Sequence, residues 1–481
     1  MFERMFAMQK VISSILICCL LLSLVACGSA QVAAPTQTQP KDNRFRVGYA
    51  KENITPNTPV GLTGYGNTSE RLHKNVLDYI YLTCVAITDA DDNTVLLFTI
   101  DMGNMLAAAS RTIRSKASGV TGVPVENITI SSTHSHSVPE IGAISSIVIS
   151  ATEKVSKAAM EDREYCDMYI GDTNTVGLNF VRHYVMDDGS VVGDNFGDAT
   201  GKTYVSHTSE ADSQLQLIQF KRENGKKDVI MANWQSHPHI TGGFSKYDLS
   251  ADIVGAFREY MEKDLGCLFA YYQGAAGNIN PTSKIGGENA NTSNPRNYRV
   301  HGELLTDHAK EALADASLLQ PGTIKVHTED FVAEYFHGDG ELTNFASLVI
   351  AYYDEGHTPA ETKKFAEQYG IHSIFHARAI SNRSVHGETG IIPITTIQVG
   401  NVGFATIPGE LFDTCGVYIK ENSPYDMTFV MGYCNDSVGY LPSEFAFGHG
   451  SYEVDIGNFA PGTAEKLAQR HVELLKQLKG E

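Results

Sequence analysis

Two periodicities alternate along this chain. Short runs rich in Val, Ile, Thr and aromatic residues recur at Tyr79–Thr88, Thr94–Ile100, Asn127–Thr133, Val229–Trp234, Cys267–Tyr272, Ile394–Val399, Gly403–Ile407 and Met427–Met431. They predict strands. Longer stretches at Ser250–Leu265, Tyr298–Ser317, Ala360–Tyr369 and Ala464–Leu478 space their apolar residues with a helical period and predict helices. The two kinds intermix from Phe45 onward without a repeat or a linker signature. This predicts one α/β domain over residues 45–481, built on a mixed sheet. The Asn- and Gly-rich stretch Ser283–Arg296 reads as a surface loop.

The N-terminus breaks the pattern. Arg4 and Lys10 flank an apolar run, Val11–Leu24, followed by Leu24-Val25-Ala26-Cys27-Gly28. The run is too short for a comfortable membrane span. It resembles a bacterial lipoprotein signal over residues 1–26, with cleavage before Cys27 and lipidation of that thiol. Residues 27–44, poor in apolar side chains and rich in Gln, Thr, Pro and Ala, then read as a flexible tether. The expected location is the bacterial cell surface, outside the cytoplasmic membrane and attached to it by lipid.

Composition narrows the partners. The chain has 481 residues and a formal net charge of −19, which disfavours nucleic acid as a partner. Its eight cysteines include two inside the signal and Cys27. The remaining five are scattered and contain no Cys-x-x-Cys, which rules out a cysteine zinc cluster and argues against a disulfide framework.

Candidate chemistry gathers at predicted strand ends, the edge where α/β sheets bind ligands. Asn127–Thr133 stops on His134 and His136; in extended chain, positions i and i+2 share a face, so both imidazoles would enter one site. Asn233-Trp234-Gln235-Ser236-His237-Pro238-His239 follows a second strand. Gln273-Gly274-Ala275-Ala276-Gly277-Asn278-Ile279-Asn280-Pro281 follows a third, with small residues that permit close backbone approach. Ile407-Pro408-Gly409-Glu410 and Gly432–Tyr440 follow two more, and Tyr452 lies twelve residues on.

The ordered set of these segments, with Gly48-Tyr49-Ala50-Lys51-Glu52-Asn53-Ile54-Thr55-Pro56 and Gly64-Tyr65-Gly66 before them, resembles the neutral/alkaline ceramidase family over nearly the whole mature chain. The resemblance implies a zinc ion held by His134, His237, Glu410 and Tyr440, a donor set that suits this borderline metal. It implies His136 as general acid/base, and Arg182 and Tyr452 as the groups that contact the amide or its oxyanion. The implied reaction is hydrolysis of an N-acyl amide, ceramide or a relative, to fatty acid and amine by a metal-bound water.

Two departures qualify that expectation. The family's Ser before the Pro of the small-residue loop is Asn280 here. An amide excludes a covalent acyl-enzyme at this residue but leaves it able to hydrogen-bond a polar head group. The family's C-terminal immunoglobulin-like domain is not expected, since a helical pattern closes the chain soon after Tyr452. Two rivals stand beside this reading. One is a barrel-type amidohydrolase, which would need two further His and an Asp. The other is a catalytically silent lipoprotein that binds lipid or glycan.

Overall fold

The computed structural model of the protein describes residues 42–65, 68–285 and 297–481. The signal, Cys27 and most of the expected tether and of the Ser283–Arg296 loop lie outside them; Ser283 itself is buried. Among the described residues nine strands build one sheet. In chain order they are β1 (Phe45–Asn53), β2 (Tyr81–Thr88), β3 (Thr94–Ile100), β4 (Ile128–Ser132), β5 (Glu164–Asn174), β6 (Gln214–Arg222), β7 (Val229–Trp234), β8 (Leu268–Gln273) and β9 (Ser317–Leu319). In space they run β8-β7-β6-β5-β1-β2-β3-β4, and β9 pairs with β5 beside β1. A second sheet has the order β10 (Ile324–Glu334), β11 (Thr389–Val399), β12 (Val402–Thr406), β13 (Met427–Met431).

The two sheets pack face to face. Val85, Ile87, Val95, Leu97, Phe220, Val229 and Met231 of the first meet Ile397, Val402, Phe404, Phe429 and Met431 of the second in one buried cluster. The opposite face of the large sheet is covered by α1 (Ala107–Thr121), α2 (Ser145–Glu161), α3 (Asp252–Leu265) and α4 (Asn297–Ala314). Leu82, Cys84 and Ala86 point to these helices while Val85 and Ile87 point to the other sheet. This two-sided burial explains why β2 reads as a continuous apolar run. Three helices, α5 (Leu342–Asp354), α6 (Pro359–Ala366) and α7 (Ile374–Arg383), form a small core of their own. Finally α8 (Asp413–Asn422) and α9 (Thr463–Lys479) cover the outer face of the second sheet. The architecture is therefore helix, sheet, sheet, helix, and residues 43–481 cluster as one compact unit.

Within the two sheets, three strand pairs are parallel, β3–β4, β7–β8 and β12–β13, while their neighbours are antiparallel. Each parallel pair needs a crossover, supplied by α1, α3 and α8 respectively. The loops after β4, β7, β8, β12 and β13 thus leave from the C-terminal ends of parallel-paired strands. Hydrogen bonds lock those ends together across the two sheets. Ser132 N–H donates to Tyr433 O at 3.1 Å, Gly432 N–H to Gln273 O at 2.8 Å, and Asn233 Nδ2 to both Tyr272 O and Val430 O at 2.9 and 3.0 Å.

All five remaining cysteines are free and buried. Burial pushes the thiols of Cys166, Cys267 and Cys434 up to about 12, as expected of structural rather than reactive cysteines. No helix among the described residues is long and apolar enough to cross a membrane.

Candidate metal centre

The loop after β4 brings His134 and His136 into the gap between the sheets, but not as extended chain. The strand ends at Ser132, and His134 adopts φ 65°, in the left-handed region. The pair converges through a turn, with imidazole planes at 79° and Nε2 atoms 3.3 Å apart. The expectation of a shared strand face is corrected in its geometry. Tyr433 and Asn435, on the facing loop, share the left-handed backbone at φ 54° and 66°. Non-glycine residues held there cost on the order of 1–3 kcal/mol each. Gly64 completes the fit: a Cβ on it would lie 2.4 Å from the Cβ of His136.

His237 and Glu410 complete the cluster. The Glu410 Oε2 atom lies 3.4 Å from His134 Nε2 and 3.3 Å from His237 Nε2. The donor atoms of His134, His136 and His237 all lie within 4.8 Å of one another. Donors around a tetrahedral ion at about 2.05 Å are separated by about 3.3 Å, so the edges seen here fit such an ion. The outer nitrogens are fixed by backbone: His134 Nδ1 is 2.7 Å from Gly103 O and His237 Nδ1 is 3.1 Å from Ile279 O. That arrangement turns both Nε2 atoms inward, as supporting partners of metal-binding imidazoles do. His237 Nε2 is buried and makes no hydrogen bond of acceptable geometry, which a buried ring nitrogen tolerates only if another partner takes its place.

Electrostatics agree with this arrangement. Burial lowers the pKa of His237 to about 3, and burial with the neighbouring imidazoles holds His136 far below its ordinary value. Both are neutral at physiological pH and free to coordinate. Burial raises the Glu410 pKa and the neighbouring His134 and His237 lower it, with the net direction downward.

Tyr440 is paired directly with Glu410 by a parallel backbone bridge. Its Oη accepts a hydrogen bond from Arg182 Nη2 at 3.1 Å. Arg182 is almost fully committed. Its Nε donates to Glu453 at 2.6 Å, Nη2 also to Gly277 O at 2.9 Å, and Nη1 to Asn280 Oδ1 at 3.5 Å. Arg182 thus hydrogen-bonds the Tyr440 hydroxyl and borders the same cavity as Tyr440 and Tyr452. Asn280 is similarly occupied. Its Oδ1 also lies 3.0 Å from His239 Nε2 and its Nδ2 donates to Asp194 at 2.8 Å. Tyr452 lines the same pocket, its ring 6.0 Å from that of Tyr440.

The Gly-Ala loop and the Asn-Trp motif act on architecture more than on a ligand. A Cβ on Gly277 would lie 2.3 Å from Glu410 O, so glycine is what lets the two loops cross. Trp234 is core, donating Nε1–H to Thr175 at 2.8 Å.

Sequence reasoning missed several residues here. Tyr433 stacks on His134 with centroids 4.1 Å apart and points its hydroxyl at Glu410, 3.4 Å away. Glu453 anchors both Arg182 and His183. Tyr65 stands edge-on to His136 at 5.4 Å. Tyr433 and Tyr65 lay in segments already singled out, and Glu453 adjoins Tyr452; nothing local marked any of them individually.

The cluster sits between two cavities that share His136 and Gly64. One, about 380 Å³, is walled by Leu106, Pro139 and Ile141 as well as His134. The other, about 290 Å³, is lined by Tyr65, Asp194, Asn195, Phe196, Asn280, Tyr440 and Tyr452.

No protein-family model and no curated protein matches the chain. Solved structures do. A ceramidase complexed with C2 superposes over 91% of this chain and 76% of its own with a TM-score of 0.68 at 15% identity. The neutral ceramidase from Pseudomonas aeruginosa covers 91% and 75% with a TM-score of 0.67 at 16% identity. The chain thus has the fold of these ceramidases, with its His134–His237–Glu410 cluster at the sheet edge where its loops converge.

Proposed function

We propose that this protein is a zinc-dependent hydrolase of N-acyl amides of the ceramide type. One observation carries the reading: imidazoles and a carboxylate converge at tetrahedral spacing between two cavities, one bordered by Leu106, Pro139 and Ile141 and the other by Asp194, Asn280, Tyr440 and Tyr452. An amide with a hydrocarbon arm on one side and a polar amine on the other suits that junction. The solved neighbours are ceramidases by title, which supports the substrate class.

His134, His237 and Glu410 would hold the ion, with Tyr440 beside Glu410 as the fourth donor. Bound there, zinc would polarise the amide carbonyl and lower the pKa of water to about 7. The protein's own groups do the rest. His136 Nδ1 is buried without a hydrogen-bond partner and is the atom at which a proton is taken up and returned to the leaving amine. Tyr452 donates from the wall of the cavity it shares with Tyr440 to the carbonyl oxygen as charge develops on it. Leu106, Pro139 and Ile141 receive the acyl chain.

Purified protein lacking residues 1–26, given a panel of fluorescent N-acyl sphingosines and shorter N-acyl amines, should hydrolyse members of the panel. A chelator should stop it and zinc should restore it. Bound zinc with no turnover on any acyl amide would instead establish a binding lipoprotein. Anchoring is a separate proposal, resting on the Leu24–Gly28 pattern. Cys27→Ala should move the protein from the membrane to the soluble extracytoplasmic fraction; persistence in the membrane would defeat it.

A further inference from the structure

A second group of donors lies away from this cluster. His376 lies in the first turn of α7 and His372 just before its capping residue, their ring centroids 5.0 Å apart. Asp455 faces them from the short helix Tyr452–Ile456. Its Oδ2 is 2.8 Å from His372 Nδ1 and 3.8 Å from His376 Nδ1, which accepts a hydrogen bond from His372 N–H at 3.3 Å that a bound ion would replace. The three donor atoms lie within 4.8 Å of one another. Those two spacings bracket the roughly 3.3 Å that separates donors on a tetrahedral ion.

The scaffold around the group is held in place. Ser373 caps α7, its Oγ accepting from His376 N–H at 3.0 Å. Arg383, at the other end of α7, donates to Asp455 O at 2.8 Å and Gly457 O at 2.7 Å, and pairs bidentately with Asp339. The helix carrying His376 and the short helix carrying Asp455 are thus fixed to each other before any ligand arrives. His372 is exposed and borders a cavity of about 310 Å³ shared with Asp455, Lys363, Glu367 and Tyr452, which leaves an entry path and an open coordination position.

We propose that His372, His376 and Asp455 form a second binding site for a borderline divalent ion such as zinc. Two imidazoles and a carboxylate with an open fourth position are a competent donor set for such an ion. The site has a consequence for the first one. Phe375, between the two histidines, packs perpendicular to Tyr452 at 6.3 Å, and both line the cavity bordered by Asn280 and Tyr440. An ion here fastens α7 to the helix that carries Tyr452.

Untagged protein lacking residues 1–26 is dialysed to equilibrium against zinc chloride and its metal counted by mass spectrometry. Two equivalents are expected in the native protein and one in His372→Ala, whose exposed position keeps the fold intact. Asp455→Asn, which retains the carbonyl that Arg383 holds, should also bind one. His134→Ala should lose the other equivalent and keep this one, so failure of the first site leaves the second measurable. Equal zinc content in the native protein, His372→Ala and Asp455→Asn would overturn the proposal.

Discussion

Glu410→Ala should lose its zinc and its amide hydrolysis together. Even residues that only support a metal ligand contribute about 10–100-fold to affinity, and Glu410 is the one carboxylate in the cluster, within 3.4 Å of two imidazoles. Metal affinity should therefore fall by more than about a hundredfold. The variant should nonetheless fold, because the strand bridge to Tyr440 is made by backbone and survives truncation. Circular dichroism matching the native protein, with zinc below a tenth of an equivalent after dialysis, is the expected pair of results. Glu410→Ala that retains stoichiometric zinc with the site at His372 also removed would dismantle the assignment.

What the sequence discloses here follows from what each residue faces. Runs buried on both sides are legible: Thr94–Ile100, Val229–Trp234 and Met427–Met431 were expected at the boundaries observed. Half-exposed strands were not. β10 carries no apolar run, because much of it meets solvent: Lys325, Thr328, Asp330, Val332 and Glu334 are all exposed. The helices α1 and α2 were missed because small residues, Ser110, Ala117, Ala151 and Ser156, make much of their buried surface. At the site, residues with donor chemistry stood out even when the local geometry was misjudged, as with the left-handed turn at His134. Residues that act by holding another side chain did not. The partnership of Glu453 with Arg182 spans 271 positions and leaves no local pattern.

Glu453 should be the most sensitive residue that touches no donor of the cluster. It is 1% exposed, accepts Arg182 Nε at 2.6 Å and lies 3.0 Å from His183 Nε2. Glu453→Gln leaves the Arg182 charge buried without its counter-ion, a loss of about 3–5 kcal/mol. It also frees the guanidinium that holds Tyr440, so hydrolysis should fall while the histidine donors stay in place. The effect has a pH signature. Burial would raise the Glu453 pKa, but Arg182 first and His183 next drive it well below the ordinary glutamate value of 4.5. A carboxylate with a folded pKa below its unfolded one contributes stability that is fully present above about 4.5 and is lost as pH falls toward the folded value. The melting-temperature gap between native protein and Glu453→Gln should therefore be several degrees at pH 7 and should close progressively below about pH 4.5. A gap that stays constant across that range would mean that packing, and not the Arg182–Glu453 charge pair, accounts for the loss.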